Sequence, residues 1–309
     1  MAEVLRAGVI GAGVFGGYHA AKFAQLPGVT LAGVYDHHPH HAEALVARSG
    51  GRVFESVAQL IAEVDVVSIA TPASAHAPAV LAALAAGRPV YVEKPVATDP
   101  DDAAEIVELA GRQGIVAACG FLERAGLEAA GLFGAPEAPS LMEAVRRGPP
   151  SARNLDVSVV LDLMIHDLDL ALALSAAEPA MIEADGRAVI HASLDVVDAE
   201  AEFDDGFVAR FHASRVAEAR ERTLRIVYPS GEVRIDFLTG VVENQTPFPL
   251  QTGFAASREA RDGLGASLAA FIGAVRGDRP APLATVRDGA RALDLALAVE
   301  QAMAQQGLV

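Results

Sequence analysis

Three short stretches of this 309-residue chain carry the residues best suited to chemistry. The first is VLDLMIHDLDL, residues 160–170, where Asp162, His166 and Asp169 interrupt an apolar run. At about 100° of rotation per helical residue these three fall within roughly 60° of one another, and Asp167 points away. Asp162 and His166 are spaced i, i+4, so the carboxylate can orient the imidazole or raise its basicity. An imidazole titrating near neutrality suits removal of a hydroxyl proton. Two plainer readings stay open: Asp162 complementing a helix N-terminus above a satisfied core histidine, and a metal held by the three side chains.

The second stretch is YVEKP, residues 91–95, at the end of an apolar strand. There Lys94 can hold a substrate hydroxyl and stabilise the alkoxide that forms as hydride leaves, although a lysine after a strand also suits plain solvation. The third is GVIGAGVFGGYHA, residues 8–20, which sets Gly11, Gly13 and Gly16 as G-x-G-x-x-G around Val14 and Phe15. The first glycine makes a strand-to-helix turn, the second admits a pyrophosphate, and the third lets helix and strand pack closely. Asp36 follows the third glycine by 20 residues, at the end of the second strand, where it can accept from a ribose diol and repel a 2′-phosphate. NAD is therefore expected, while His37 and His38 of the HHPHH run leave NADP open. Thr71 and Pro72 of TPASAH would line the nicotinamide ribose. His76, Glu93 and Lys94 complete the expected cofactor-facing set, with packing or capping the plainer role for His76. No metal is expected, since a hydride transfer has its electrophile in the cofactor. The four histidines of HHPHH lack carboxylate or cysteine company.

These residues need elements to hold them. Apolar runs at 5–11, 30–36, 64–70, 89–94 and 115–121 show no period-2 alternation and are separated by Ala-rich amphipathic stretches. That pattern predicts an N-terminal doubly wound parallel sheet over residues 1–120. Beyond residue 121 the strands lengthen, alternate and follow one another directly, with DDG at 204–206 and PSG at 229–231 as turns. They predict a C-terminal α+β domain over 121–309, built on an open, mainly antiparallel sheet, whose last helix could pack back on the first domain. An open face of such a sheet invites a second subunit, so a homo-oligomer, dimer or tetramer, is expected through it.

Composition narrows the partners. A net charge of −16 opposes nucleic acid and anionic membrane surfaces. A single cysteine, Cys119, fits a reducing compartment, and no run approaches the ~20 apolar residues of a membrane span, so a cytoplasmic location is expected. In so acidic a chain Arg146, Arg147, Arg153 and Arg215 stand out as anchors for a diphosphate-linked sugar, or, for the first two, as surface residues.

The G-x-G-x-x-G-x-x-H ending at His19, the ATP…H of 70–76, EKP at 93–95 and the Asp-x-x-x-His of 162–166 together resemble the Gfo/Idh/MocA oxidoreductase family. The resemblance covers nearly the whole chain. It implies NAD-dependent oxidation of a secondary hydroxyl on a sugar, with Lys94 and His166 acting on one alcohol carbon and Asp162 nearby. The family's D-x-G-x-H has Met164 in place of its glycine here. A narrower resemblance, carried by residues 146–170 and 209–226, is to the branch that oxidises the 3-hydroxyl of UDP-N-acetylglucosamine to a 3-keto sugar. It implies a pathway partner, a PLP-dependent aminotransferase supplying lipid A precursors, and substrate contacts at Arg124, Arg153, Arg215 and Asp169, with a structural role, one turn past His166, the plainer reading of Asp169. Of that branch's ERFNP-like stretch only Glu123 and Arg124 persist. The alternatives are a dehydrogenase of another sugar, cyclitol or polyol, and an NAD-binding sensor without turnover.

Overall fold

The computed structural model describes residues 4–151, 157–175, 177–191, 193–253 and 262–305. Its contacts divide the chain into two units, one of Met1–Leu122 with Leu264–Ala290, the other of Glu123–Gly263 with Arg291–Val309. The first boundary lies two residues past the expected one. A later helical stretch, within Leu264–Ala290, groups with the first unit.

The first unit is a six-stranded parallel sheet. Its strands are β1 (Leu5–Ile10), β2 (Val29–Tyr35), β3 (Arg52–Val53), β4 (Val66–Ile69), β5 (Val90–Val92) and β6 (Ala117–Cys119), in the order β3-β2-β1-β4-β5-β6. Order reverses between β1 and β4, so the carboxyl ends of these strands open a crevice there. The intervening helices are α1 (Val14–Phe23), α2 (Pro39–Ser49), α3 (Val57–Glu63), α4 (His76–Ala85) and α5 (Pro100–Gln113). Local chemistry sets their ends: the Ser56 side chain accepts from Gln59 N at the start of α3, and Asp99 caps α5, which ends on left-handed Gly114. Further along the chain, α8 (Gly263–Arg276) brings Leu264, Leu268, Phe271 and Ile272 into the core of Val9, Phe23, Val34 and Tyr91. Tyr91 Oη donates to Ser267 Oγ at 3.0 Å, satisfying two buried hydroxyls across that contact.

The second unit carries α6 (Glu123–Ala130), β7 (Leu141–Arg147), a π-helical turn (Val160–Met164) and α7 (Ile165–Leu174). After them come β8 (Pro179–Arg187), β9 (Val196–Phe203), β10 (Val208–Ser214), β11 (Glu221–Tyr228), β12 (Gly231–Asp236) and β13 (Val241–Asn244). The seven strands run β13-β12-β11-β7-β10-β9-β8, antiparallel except for the β7–β10 pair. Period-2 alternation gives the sheet two distinct faces. Met142, Ala144, Leu224, Ile226, Ala209 and Phe211 form the buried face. The other face is a chequer of charges, with Arg225 on Glu143 at 2.6 Å and His212 on Asp198 at 2.6 Å, around an open depression of about 910 Å³. The last helix, α9 (Val286–Gln305), contains the third division between the units. Among the described residues no helix is long and apolar enough to cross a membrane.

Candidate active site

In the first unit the glycine motif forms the turn from β1 into α1. Gly11 holds φ +100°, and a Cβ there would stand 2.6 Å from Ala70 O. A Cβ on Gly16 would overlap the Gly11 carbonyl oxygen, so the helix starts this close to the strand only with glycine. Gly13 differs: a Cβ there meets nothing within 4 Å. The protein itself leaves that space open, as a cradle for pyrophosphate requires. Asp36 Oδ2 accepts from Ala12 N at 2.6 Å and Oδ1 from His38 N at 2.8 Å, which fixes the carboxylate beside the glycine turn with lone pairs to spare. Val14, Phe15 and Tyr18 expose apolar surface at the start of α1, while His37 and His38 are exposed beyond Asp36. Among the described residues the Thr71 Oγ1, in the loop after β4, is buried with no hydrogen-bond partner. Glycine cradle, carboxylate and orphaned hydroxyl together fit a dinucleotide.

Two expected cofactor-facing residues turn inward instead. His76 is buried, with Nδ1 on Pro95 O at 2.7 Å and Nε2 on Thr71 O at 3.0 Å. It clamps the loops after β4 and β5 together, and burial lowers its pKa. Glu93 is also buried, and its Oε1 meets His19 Nε2 at 2.9 Å, while His19 Nδ1 meets Ser68 Oγ at 2.6 Å. Gly120 makes room for this carboxylate, since a Cβ there would stand 2.9 Å from Glu93 Oε1. Lys94, next in the chain and half-buried, therefore stands on a strand end braced from below.

The second unit holds a buried chain of charges. His166 Nδ1 lies 2.9 Å from Glu123 Oε2, Glu123 Oε1 accepts from Arg146 Nη1 at 2.8 Å, and Arg146 donates to both oxygens of Asp167 at 2.9 and 2.8 Å. Burial alone would raise the Glu123 pKa, but the charge of Arg146 and the hydrogen bonds from His166 and Arg146 outweigh it and hold the carboxyl well below its ordinary range. Arg146 is correspondingly held charged despite burial. An ionised Glu123 can only accept, so Nδ1 of His166 carries the proton and donates. Nε2 is then the ring's basic nitrogen. This is the tautomer a proton acceptor needs, fixed by a neighbouring carboxylate.

This arrangement corrects several expectations. The carboxylate on Nδ1 of His166 is Glu123, which sequence reasoning had left without a role, rather than Asp162. Asp162 lies in the π-helical turn, whose wider pitch breaks the 100° phase on which the Asp162–His166 spacing relied. Asp167, expected to point away, is buried on Arg146. Arg146 is likewise no surface residue. Its strand parity, shared with Met142 and Ala144, was the available signal.

The expected substrate contacts also have other partners. Arg124 Nε and Nη2 grip Asp169 Oδ2 and Oδ1 at 2.8 and 2.7 Å, a buried fork that ties α6 to α7. Arg215 is buried on Asp195, Ser193 Oγ and the carbonyls of Leu194 and Val157. The backbone amides of Val189, Ile190 and His191 donate to Asp195 as well, holding its pKa below the carboxylate range against burial. Arg215 thus braces the turn before β9. Arg147 pairs on the surface with Glu221, and Arg153 lies outside the described residues. Among the described residues no three His, Cys, Asp or Glu side chains are grouped to hold a metal.

The model of the GFO/IDH/MocA oxidoreductases with an NAD-binding Rossmann fold matches residues 5–121, and that of the GFO/IDH/MocA C-terminal domain matches 133–234. UDP-N-acetylglucosamine 3-dehydrogenase of Acidithiobacillus ferrooxidans is 36% identical over 96% of this chain and 97% of its own length. This chain belongs to the Gfo/Idh/MocA oxidoreductase family. The solved structure of the Acidithiobacillus enzyme superposes with a TM-score of 0.90 at 36% identity, covering 98% of each chain. Inositol 2-dehydrogenase of Rubrobacter xylanophilus is 34% identical over 55% of this chain and 52% of its own. Scyllo-inositol dehydrogenase of Lactobacillus casei, solved with NAD(H) and scyllo-inositol, shares the fold at a TM-score of 0.82 and 20% identity over 98% of each chain. As a Gfo/Idh/MocA oxidoreductase the chain binds NAD, and the glycine cradle with Asp36 is where its residues fit that nucleotide.

Proposed function

We propose that this Gfo/Idh/MocA oxidoreductase oxidises the 3-hydroxyl of UDP-N-acetylglucosamine to a 3-keto sugar. NAD, when bound, supplies the hydride acceptor. His166 Nε2 takes the hydroxyl proton, Glu123 stabilises the imidazolium that results, and Arg146 with Asp167 keeps Glu123 in place and ionised. To Lys94 we assign stabilisation of the developing alkoxide. Asp36 favours the ribose diol of NAD over a 2′-phosphate. The observation that carries the reading is the Glu123-fixed tautomer of His166, in a chain whose likeness to the UDP-N-acetylglucosamine 3-dehydrogenase extends over both units. The inositol dehydrogenase likeness, spread over about half the chain, supports a cyclitol less well. A sensor without turnover would have no use for a proton-accepting histidine.

The same reading extends to the setting. The product 3-keto sugar suits a PLP-dependent aminotransferase as the next catalyst, a cytoplasmic step, and the charge-chequered sheet face suits pairing with a second copy of the chain. A panel following NADH absorbance tests the assignment. UDP-N-acetylglucosamine should give the highest kcat/KM among UDP-sugars, free sugars and cyclitols. Turnover of a free cyclitol with no response to any UDP-sugar would move the assignment to the inositol side of the family.

A further inference from the structure

Across the β7–β11 ladder the residue opposite Arg147 is Glu221, and the two form an ion pair on the open face. One register step away, on the opposite face, Arg146 stands directly across from Arg222. Like charges in opposed ladder positions destabilise a sheet, so an Arg–Arg pair beside a matched Arg–Glu pair calls for a reason. Arg146 has its own carboxylates, Glu123 and Asp167. Arg222 has none: among the described residues no carboxylate lies within ion-pair distance of it. Arg220 is unpaired in the same sense, and its side chain passes 3.5 Å from where a Gly148 Cβ would stand, at this end of the sheet. Arg222 is an exposed residue, yet desolvation and the charges of Arg146 and Arg220 lower its pKa against the pull of Glu123 and Asp167. Of the other arginines weighed for the substrate, Arg124, Arg146, Arg147 and Arg215 hold protein partners, and Arg153 lies outside the described residues.

We propose that Arg222, assisted by Arg220, anchors the diphosphate of the nucleotide-sugar substrate. The inference rests on the reading of the substrate given above and adds the residues that hold its anionic part. Arg222 lies one strand spacing, about 4.8 Å, from Arg146, which shares Glu123 with His166. Base and anchor are thus linked through Arg146 and Glu123 at one end of the sheet. A guanidinium fork without a carboxylate of its own is suited to bidentate phosphate binding, and the ligand would relieve the Arg146–Arg222 repulsion.

The test compares the full-length wild type with Arg222→Gln, Arg222→Lys and Arg220→Gln. It measures kcat and KM for UDP-N-acetylglucosamine, UDP binding by calorimetry, and NAD binding as the control for folding. Arg222→Gln should raise KM and weaken UDP binding about ten- to hundredfold, with kcat within about threefold and NAD affinity unchanged. Arg222→Lys should recover part of the loss, and Arg220→Gln should show a smaller effect of the same kind. UDP binding in Arg222→Gln equal to the wild type would overturn the proposal. Should Arg222→Gln fail to bind NAD, Arg222→Lys, which keeps the charge and loses the fork, is read by the same criteria. A wild type that takes no nucleotide sugar would defeat the substrate reading alone. Inorganic pyrophosphate then probes the anion site itself: binding lost in the Arg222 variant upholds it, and no binding by the wild type removes it.

Discussion

Replacing Glu123 by Gln examines the charge chain without emptying it. The side chain keeps its size and one carbonyl acceptor, but the charge facing His166 and Arg146 is gone. Unit charges about 4 Å apart interact by about 4 kcal/mol at an effective dielectric of 20, a ceiling for what Glu123 gives an imidazolium on His166. The Gln carbonyl keeps part of that interaction as a dipole, so about 2 kcal/mol is the working value for the loss, or roughly 30-fold in kcat. A Gln can also turn its amide NH₂ toward Nδ1 and select the other tautomer, which removes the basic Nε2 and takes the loss toward about 1,000-fold. Glu123→Ala is the poorer probe, because it takes the acceptor from a buried Nη1 of Arg146, which costs about 1–3 kcal/mol of stability and would mix folding with catalysis. Steady-state kinetics with UDP-N-acetylglucosamine, with NAD affinity and the melting midpoint as controls, give the answer. If His166→Gln and Glu123→Gln act through one chain, the double variant should be little worse than His166→Gln alone. A folded Glu123→Gln enzyme within threefold of the wild-type kcat would refute the role given to Glu123.

Three further outcomes follow from the same geometry. Gly13→Ala should melt with the wild type yet bind NAD at least tenfold more weakly, whereas Gly16→Ala should lower the melting midpoint as well; fluorescence titration and calorimetry separate the two. Arg124→Met removes the buried fork on Asp169 and should cost about 3–5 kcal/mol in urea unfolding, while the double change Arg124→Met with Asp169→Leu should recover much of it. Because the folded-state pKa of Glu123 is depressed, its stabilising contribution is present above the ordinary carboxylate pKa of 4.5 and is lost as pH falls below that toward the folded value. Melting midpoints measured on descending below pH 4.5 should therefore drop more steeply in the wild type than in Glu123→Gln.

The first unit was largely legible because its signals are local. Doubly buried strands read as unbroken apolar runs, and the turn glycines are required by backbone geometry at Gly11 and by close approach at Gly16. β3 escaped because two residues carry no periodicity. The allegiance of α8 was not readable: Leu264, Leu268 and Phe271 announce an amphipathic helix, but nothing in that spacing says which core receives it. In the second unit the antiparallel strands were legible from alternation, and His166 from its company. Its true partner was hidden by distance, since Glu123 lies 43 residues upstream and only the fold brings it to Nδ1. The helical wheel did not foresee the carboxylate on Nδ1 of His166, because a π-helical turn over Val160–Met164 shifts the phase of Asp162. Arg146 and Arg222 could have been placed by strand parity, each sharing its face with buried apolar neighbours two residues away or four.

The central claim is that Lys94 and the Glu123-held His166 carry the oxidation of a nucleotide-sugar alcohol by NAD. Its most direct test is NADH production from UDP-N-acetylglucosamine by the wild type, Lys94→Met and His166→Gln, at matched NAD saturation. The account requires turnover by the wild type and a fall of about 10²–10⁴-fold in each variant, with NAD still bound. Near-wild-type NADH production in both variants would contradict it.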